Sequence, residues 1–158
     1  MSDPTDALTF RTATHDDLAA IVRMLAADPL GATREAVTEP LAPEYEAAFD
    51  AISDDPNNEL LVAERRSALA GVLQLTYLPS LTYQGGWRAQ IEGVRVAEAM
   101  RGQGVGRALL EEAIARARRR GCRLVQLTTD NRRPEALRFY EQLGFRATHA
   151  GMKLQLGR

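Results

Sequence analysis

The stretch that most limits the fold is Arg101-Gly102-Gln103-Gly104-Val105-Gly106-Arg107. A strand pattern, Ile91 to Val96, precedes it, and a long amphipathic helix pattern, Ala108 to Arg120, follows. Glycine takes positive φ readily and, lacking a Cβ, lets a ligand approach the peptide N–H groups. The first N–H groups of a helix have no internal partner and lie at the positive end of its dipole. A strand turning through glycines into a helix is therefore a place to hold a phosphate. Two familiar phosphate folds are excluded. A dinucleotide turn needs Gly-x-Gly-x-x-Gly/Ala, and the last place falls on Arg107 or Leu109 in the two available frames. A P-loop needs Gly-Lys-Ser/Thr, which is absent.

The flanking patterns predict the remaining elements. Leu8 to Ala13 alternates as a first strand. Thr14 is a good N-cap, and Leu18, Ile21, Val22 and Leu25 give a helix ending at Asp28-Pro29-Leu30-Gly31. A second helix starts near Pro43. Leu60–Glu64 and Ala70–Leu78 form a hairpin around Arg65-Arg66-Ser67, and Trp87–Val96 follows as a strand in which Gly93 marks a bulge or close backbone approach. After the glycine turn, Glu112 and Arg116 form an i,i+4 pair and Gly121 is a natural helix stop. Leu124–Thr128 is a buried-type strand, and Pro134 opens a last helix that Gly144 ends. Phe145–Thr148 and Met152–Leu156 read as two closing strands. The order is β-α-α-β-β-β-α-β-α-β-β, a mixed α/β domain over residues 1–158 with residues 1–7 flexible.

Charge and composition narrow the partners. A net charge of -1 argues against broad nucleic-acid or anionic-membrane binding. No apolar run reaches membrane-spanning length, and the polar, acidic start is unlike a signal peptide. Cys122 is the single cysteine, so neither a disulfide framework nor a thiolate metal cluster is expected, and the simple reading is a cytoplasmic protein without a metal.

Arg101-Gly102-Gln103-Gly104-Val105-Gly106 resembles the Arg/Gln-x-x-Gly-x-Gly/Ala motif of the GNAT acetyltransferase superfamily. Ile91-Glu92-Gly93-Val94-Arg95-Val96 is similar to its central strand, and Ala136 to Phe145 is similar to its Ala-x-x-x-Tyr-x-x-x-Gly-Phe signature. The resemblance implies a GNAT-like sheet with splayed central strands and acetyl-CoA as donor. It places the pyrophosphate on Arg101, Gly102, Gln103, Gly104, Val105, Gly106 and Arg107, and the pantetheine arm along Val94, Arg95 and Val96. A main-chain N–H near Val94 would face the thioester oxygen. Glu92 becomes the candidate base and Tyr140 the candidate acid. Many family members carry Asn seven residues before this tyrosine; Arg133 stands there, able to reach a CoA phosphate or to sit solvated at a helix start.

The acceptor site is expected from the first two helices and the segment after Leu78, with Tyr45, Tyr77, Tyr83, Trp87 and Arg88 as lining residues. An arginine amid aromatics points to a small polar amine bearing a carboxylate. The implied activity is N-acetylation of such an amine; protein N-terminal or lysine acetylation and a non-catalytic acyl-CoA sensor are the alternatives. A homodimer is left open by the resemblance.

Overall fold

The computed structural model describes residues 6–157. The expected flexibility of residues 1–7 falls mostly outside them. The chain forms two compact units, Met1–Gln126 and Leu127–Arg158.

The first unit is built on a sheet ordered β1-β2-β3-β4-β5. Strand β1 (Thr9–Thr12) pairs antiparallel with β2 (Asn58–Arg65), β2 with β3 (Ala68–Leu78), and β3 with β4 (Arg88–Val96). The β2–β3 turn is two residues long, and Arg66 and Ser67 both take positive φ, 51° and 60°. That is the twist a two-residue hairpin demands, here met without glycine. Strand β5 (Leu124–Leu127) lies beside β4. The Arg123 N–H donates to the Trp87 carbonyl at 2.8 Å, and the Gln126 side-chain amide donates to Gln90 at 2.7 Å. The contacts advance together along both strands, so β5 runs parallel to β4. Gln126 stands level with Gln90, so β5 flanks only the first half of β4.

Helices cover both faces. Helices α1 (Leu18–Ala26) and α2 (Pro43–Asp54) lie on one face, where Leu18, Ile21, Val22 and Phe49 pack with Val62 and Val72. Helix α4 (Val105–Arg119) lies on the other. A Cβ built on Gly71 would sit 3.3 Å from Val105 and Leu109, so Gly71, Leu73 and Leu75 point toward α4. Between β3 and β4, the short α3 (Thr82–Gly85) is an irregular turn with Tyr83 and Gln84 at positive φ.

In the second unit, Pro134 stands at the start of α5 (Pro134–Gln142), as its missing N–H allows. Gly144 then takes φ +94°, and the Phe145 N–H turns back to the Tyr140 carbonyl at 3.1 Å. The two expected closing strands are not formed: residues 145–157 carry no strand, and Met152, Leu154 and Leu156 are exposed. Alternating apolar residues define a strand's faces but make a strand only against a partner edge.

Candidate active site

The glycine turn has the conformation its composition calls for. Gly102 and Gly104 take φ of +74° and +80°, and a Cβ on either would meet no atom within 4 Å. Gly104 caps α4 at its N-terminus. The Ala108 N–H is the first to find a helical acceptor, the Gly104 carbonyl at 3.0 Å, so Val105, Gly106 and Arg107 present N–H groups without one. The space around the two glycines and these donors fit a pyrophosphate. Arg101 is exposed, and Arg107 reaches Glu111 at 3.5 Å, a loose surface pair that leaves its charge available. Gln103 is held from both sides: Arg65 donates to its side-chain oxygen at 2.8 Å, and its amide donates to the Ala99 carbonyl at 3.0 Å. Arg65, Arg66, Ala68, Ala99, Met100, Gln103 and Asp6 line a cavity of about 450 Å³ beside the β2–β3 hairpin. Arg65 had no signal in the sequence, because only the strand register brings the end of β2 to this turn.

Upstream, β4 contains a bulge. Val72 pairs with Arg95 but Gln74 pairs with Glu92, so Leu73 faces two residues, Gly93 and Val94. Gly93 takes φ +62°, the left-handed geometry of a glycine bulge. One of the two therefore has no opposite number in β3, and the edge of β4 from Glu92 to Val96 extends past the level of Gln126. An open edge next to a bulge can accept an extended ligand strand and spare an N–H for its carbonyl.

Side chains around the bulge separate by face. Glu92 is opposite Gln74 and exposed, with no ion pair among the described residues. Arg95 lies opposite Val72, where its guanidinium meets Asp28 at 3.1 Å; its Nη1 also donates to the Val94 carbonyl at 2.8 Å. The Asp28 carboxylate in turn accepts from the Gly31 N–H at 2.7 Å. The loop after α1 is thus fastened to the bulged half of β4, a link invisible when Asp28 is read only as a helix stop.

The expected acceptor residues do not form one group. Arg88, on the same face as Glu92, donates to Ser80 at 3.0 Å and Thr82 at 2.7 Å, and its guanidinium lies 6.0 Å from the Tyr83 ring centre. Tyr83 and Trp87 are exposed nearby in sequence. Tyr45 donates to Glu35 at 2.7 Å and accepts from the Ala36 N–H at 3.1 Å, tying the segment before α2 to the helix. Tyr77 is a correction. It is 5% exposed, belongs to the α4 face, donates to Glu59 at 2.9 Å and lies under the Arg120 guanidinium at 4.4 Å. Burial and the Glu59 carboxylate push its hydroxyl above the usual tyrosine range. The period of two puts Tyr77 one residue out of step with Gln74 and Thr76, on the face away from Glu92.

In the second unit, Tyr140 stacks edge-on between Phe139 and Phe145, at 5.3 and 5.9 Å between ring centres. The turn at Gly144 is what returns Phe145 to it. Arg133 caps the start of α5 and its N–H donates to the Asp130 carbonyl at 2.9 Å. No described helix is long and apolar enough to cross a membrane.

A family model for the acetyltransferase (GNAT) family matches residues 22–145. The chain belongs to the GNAT acetyltransferase family. Among solved structures, a transcriptional regulator from Bacillus halodurans C-125 is 55% identical, with a TM-score of 0.93 over 95% of this chain and 100% of that one. An aminoalkylphosphonate N-acetyltransferase of Salmonella typhimurium is 33% identical over 95 residues, 60% of this chain and 61% of that protein. A glucosamine 6-phosphate N-acetyltransferase of Trypanosoma brucei brucei is 36% identical over 88 residues, 56% of this chain and 58% of its own length. The chain thus spans about three fifths of the curated relatives it matches. For this GNAT chain, the matched region includes the bulged strand, the glycine turn and the Tyr140 signature.

Proposed function

We propose that this chain is an N-acetyltransferase that moves an acetyl group from acetyl-CoA to the primary amine of a small polar molecule. The observation that carries the reading is the glycine turn opening onto α4 directly downstream of a bulged strand edge. The N–H groups from Gly102 to Arg107 hold the pyrophosphate, with Arg101, Arg107 and Arg133 adding charge. The pantetheine arm runs along Val94, Arg95 and Val96. The bulge N–H near Val94 donates to the thioester oxygen as charge develops on it.

The acceptor reacts as a neutral amine. Glu92, directly or through water, takes a proton from the ammonium form. The nitrogen forms a bond to the acetyl carbon, the carbon–sulfur bond breaks, and Tyr140 donates its phenolic proton to the leaving thiolate; the new amide nitrogen gives up its extra proton, which returns through water to the Tyr140 phenolate. Tyr83, Trp87 and Arg88 contact the acceptor. We place the reaction in the cytoplasm, a reducing compartment with which a single-cysteine chain is compatible.

Two relatives that acetylate amines support this reading by name. A second reading, an acyl-CoA-binding regulator without turnover, draws on the name of the 55% identical protein. A thiol-release assay with acetyl-CoA and a panel of amines separates them. Transfer to an amine, with Tyr140→Phe lowering kcat more than it weakens acetyl-CoA binding, is the expected result. Binding of acetyl-CoA without transfer to any amine favours the regulator, and equal kcat in Tyr140→Phe removes Tyr140 from the chemistry.

A further inference from the structure

The face of the sheet shared by Glu92 and Arg88 is polar in a way that folding does not require. Toward the β2–β3 hairpin this face is apolar, with Val62 and Val72 under α1 and α2. Away from the hairpin the same face changes character. Register places Asn58 opposite Thr76, Thr76 opposite Gln90, and Gln74 opposite Glu92, so these side chains share one surface. Their amides and hydroxyls already form a hydrogen-bonded row: Thr76 donates to Asn58 at 2.6 Å, Gln74 donates to Asn58 at 3.2 Å, and Gln126 donates to Gln90 at 2.7 Å.

The charges stand at the two ends of this row. Arg88 closes one end, half-buried, and its polar partners are the neutral groups of Ser80, Thr82 and Gln126. No carboxylate among the described residues neutralises it. Hydroxyls and an amide fix the guanidinium in place while leaving its charge uncompensated, and a half-buried cation in that state favours an anion beside it. Glu92 stands at the other end, four residues along one strand, which is about 13 Å of backbone at the usual rise. The neutral amides of Gln90 and Gln126 lie along the face between these two charged positions.

We propose that this row is the acceptor subsite, and that it selects an amine carrying an anionic oxygen group at its far end: the anion on Arg88, the amine at Glu92, and polar substituents along Gln74, Gln90 and Gln126. A phosphate, a phosphonate and a carboxylate share this chemistry. The proposal rests on the N-acetyltransferase reading and specifies its acceptor.

The test pairs amines of matched length, each with and without a terminal phosphonate, phosphate or carboxylate, against the wild-type protein, Arg88→Met and Arg88→Lys. Thiol release is followed at saturating acetyl-CoA, and binding of the same amines is measured by calorimetry in the presence of CoA. The expected result is a kcat/KM at least tenfold higher for the anionic member of a pair. Arg88→Met abolishes that ratio through acceptor KM, Arg88→Lys retains part of it, and KM for acetyl-CoA is unchanged. The ranking of the three anions identifies which one the subsite fits. Equal use of anionic and neutral amines, or an equal loss for both in Arg88→Met, overturns the proposal while leaving the N-acetyltransferase reading intact. If no amine is acetylated, that reading fails. Calorimetry then still decides the subsite: anionic amines bind more tightly than neutral ones in the wild type and not in Arg88→Met, or the proposal falls.

Discussion

Single residues carry chemistry here only where the face of the sheet permits it. Glu92 and Tyr77 lie on neighbouring strands, yet the alternation of side chains puts one on the exposed polar face and the other beneath Arg120. Removing the carboxylate as Glu92→Gln is expected to lower kcat/KM by about 10²–10⁴, the usual contribution of a positioned base. The pH profile of kcat/KM should change with it, because the variant loses the proton acceptor but keeps the acceptor amine's own ionisation. Steady-state kinetics from about pH 6 to 10, a range that takes in α-amino groups at about 8 and approaches alkyl amines at about 10.4, checks this. An unchanged rate and profile would remove Glu92 from the mechanism. Arg95 teaches the converse: its charge is committed to Asp28, so what it can offer along β4 is backbone.

At the scale of elements, the strand–turn–helix from β4 to α4 is the unit that matters. The bulge at Gly93 interrupts pairing with β3, and the left-handed glycines then deliver α4 with its first N–H groups outward. Gly104→Ala isolates the backbone term, since open space surrounds the added methyl. A left-handed non-glycine residue costs about 1–2 kcal/mol, so the turn either strains or relaxes away from the cradle. Calorimetry should find acetyl-CoA binding weakened roughly tenfold, the equivalent of about 1.4 kcal/mol, with kcat much less affected. Unaltered affinity would show that the turn does not hold the cofactor's phosphates. The clamp on Gln103 from Arg65 and Ala99 belongs to the same scale, for it fixes the turn against two other elements at once.

At the scale of the whole chain, the Arg11 ion pairs tie β1 to its neighbours and contribute to the response to acid. Arg11 of β1 joins Asp17, just before α1, at 2.7 Å and Glu64 of β2 at 2.6 Å. The Arg11 hydrogen bond, against some burial, and the Thr14 N–H hold the Asp17 carboxyl down to about 2, from an ordinary 3.8. A carboxylate with a lowered folded pKa stabilises the fold above its unfolded value, and that contribution is lost as pH falls from about 4 toward 2. Allowing for the solvent around Arg11, it amounts to roughly 1–2 kcal/mol. Asp17→Asn should therefore lower Tm at pH 7 and flatten the fall in Tm between about pH 4 and 2, as read by thermal melts across that range. Equal slopes for the two proteins would show that the pair does not survive in solution.

Local features were legible along the chain: the glycine turn, the helix stops at Gly121 and Gly144, a bulge or close backbone approach at Gly93, and the order of elements through α5 apart from the short α3. Each depends on φ freedom, capping or side-chain period within a few residues, so it can be read along the chain. The tertiary structure decided what depends on register between strands. It moved Tyr77 to the α4 face, brought Arg65 to Gln103 and joined Asp28 to Arg95. It left Met152, Leu154 and Leu156 exposed where closing strands were expected. It also aligned Asn58, Gln74, Thr76, Gln90 and Gln126 from four strands into one polar row. Such pairings join residues far apart in sequence, and a one-residue slip reverses the face of each side chain in a strand, so no local pattern specifies them.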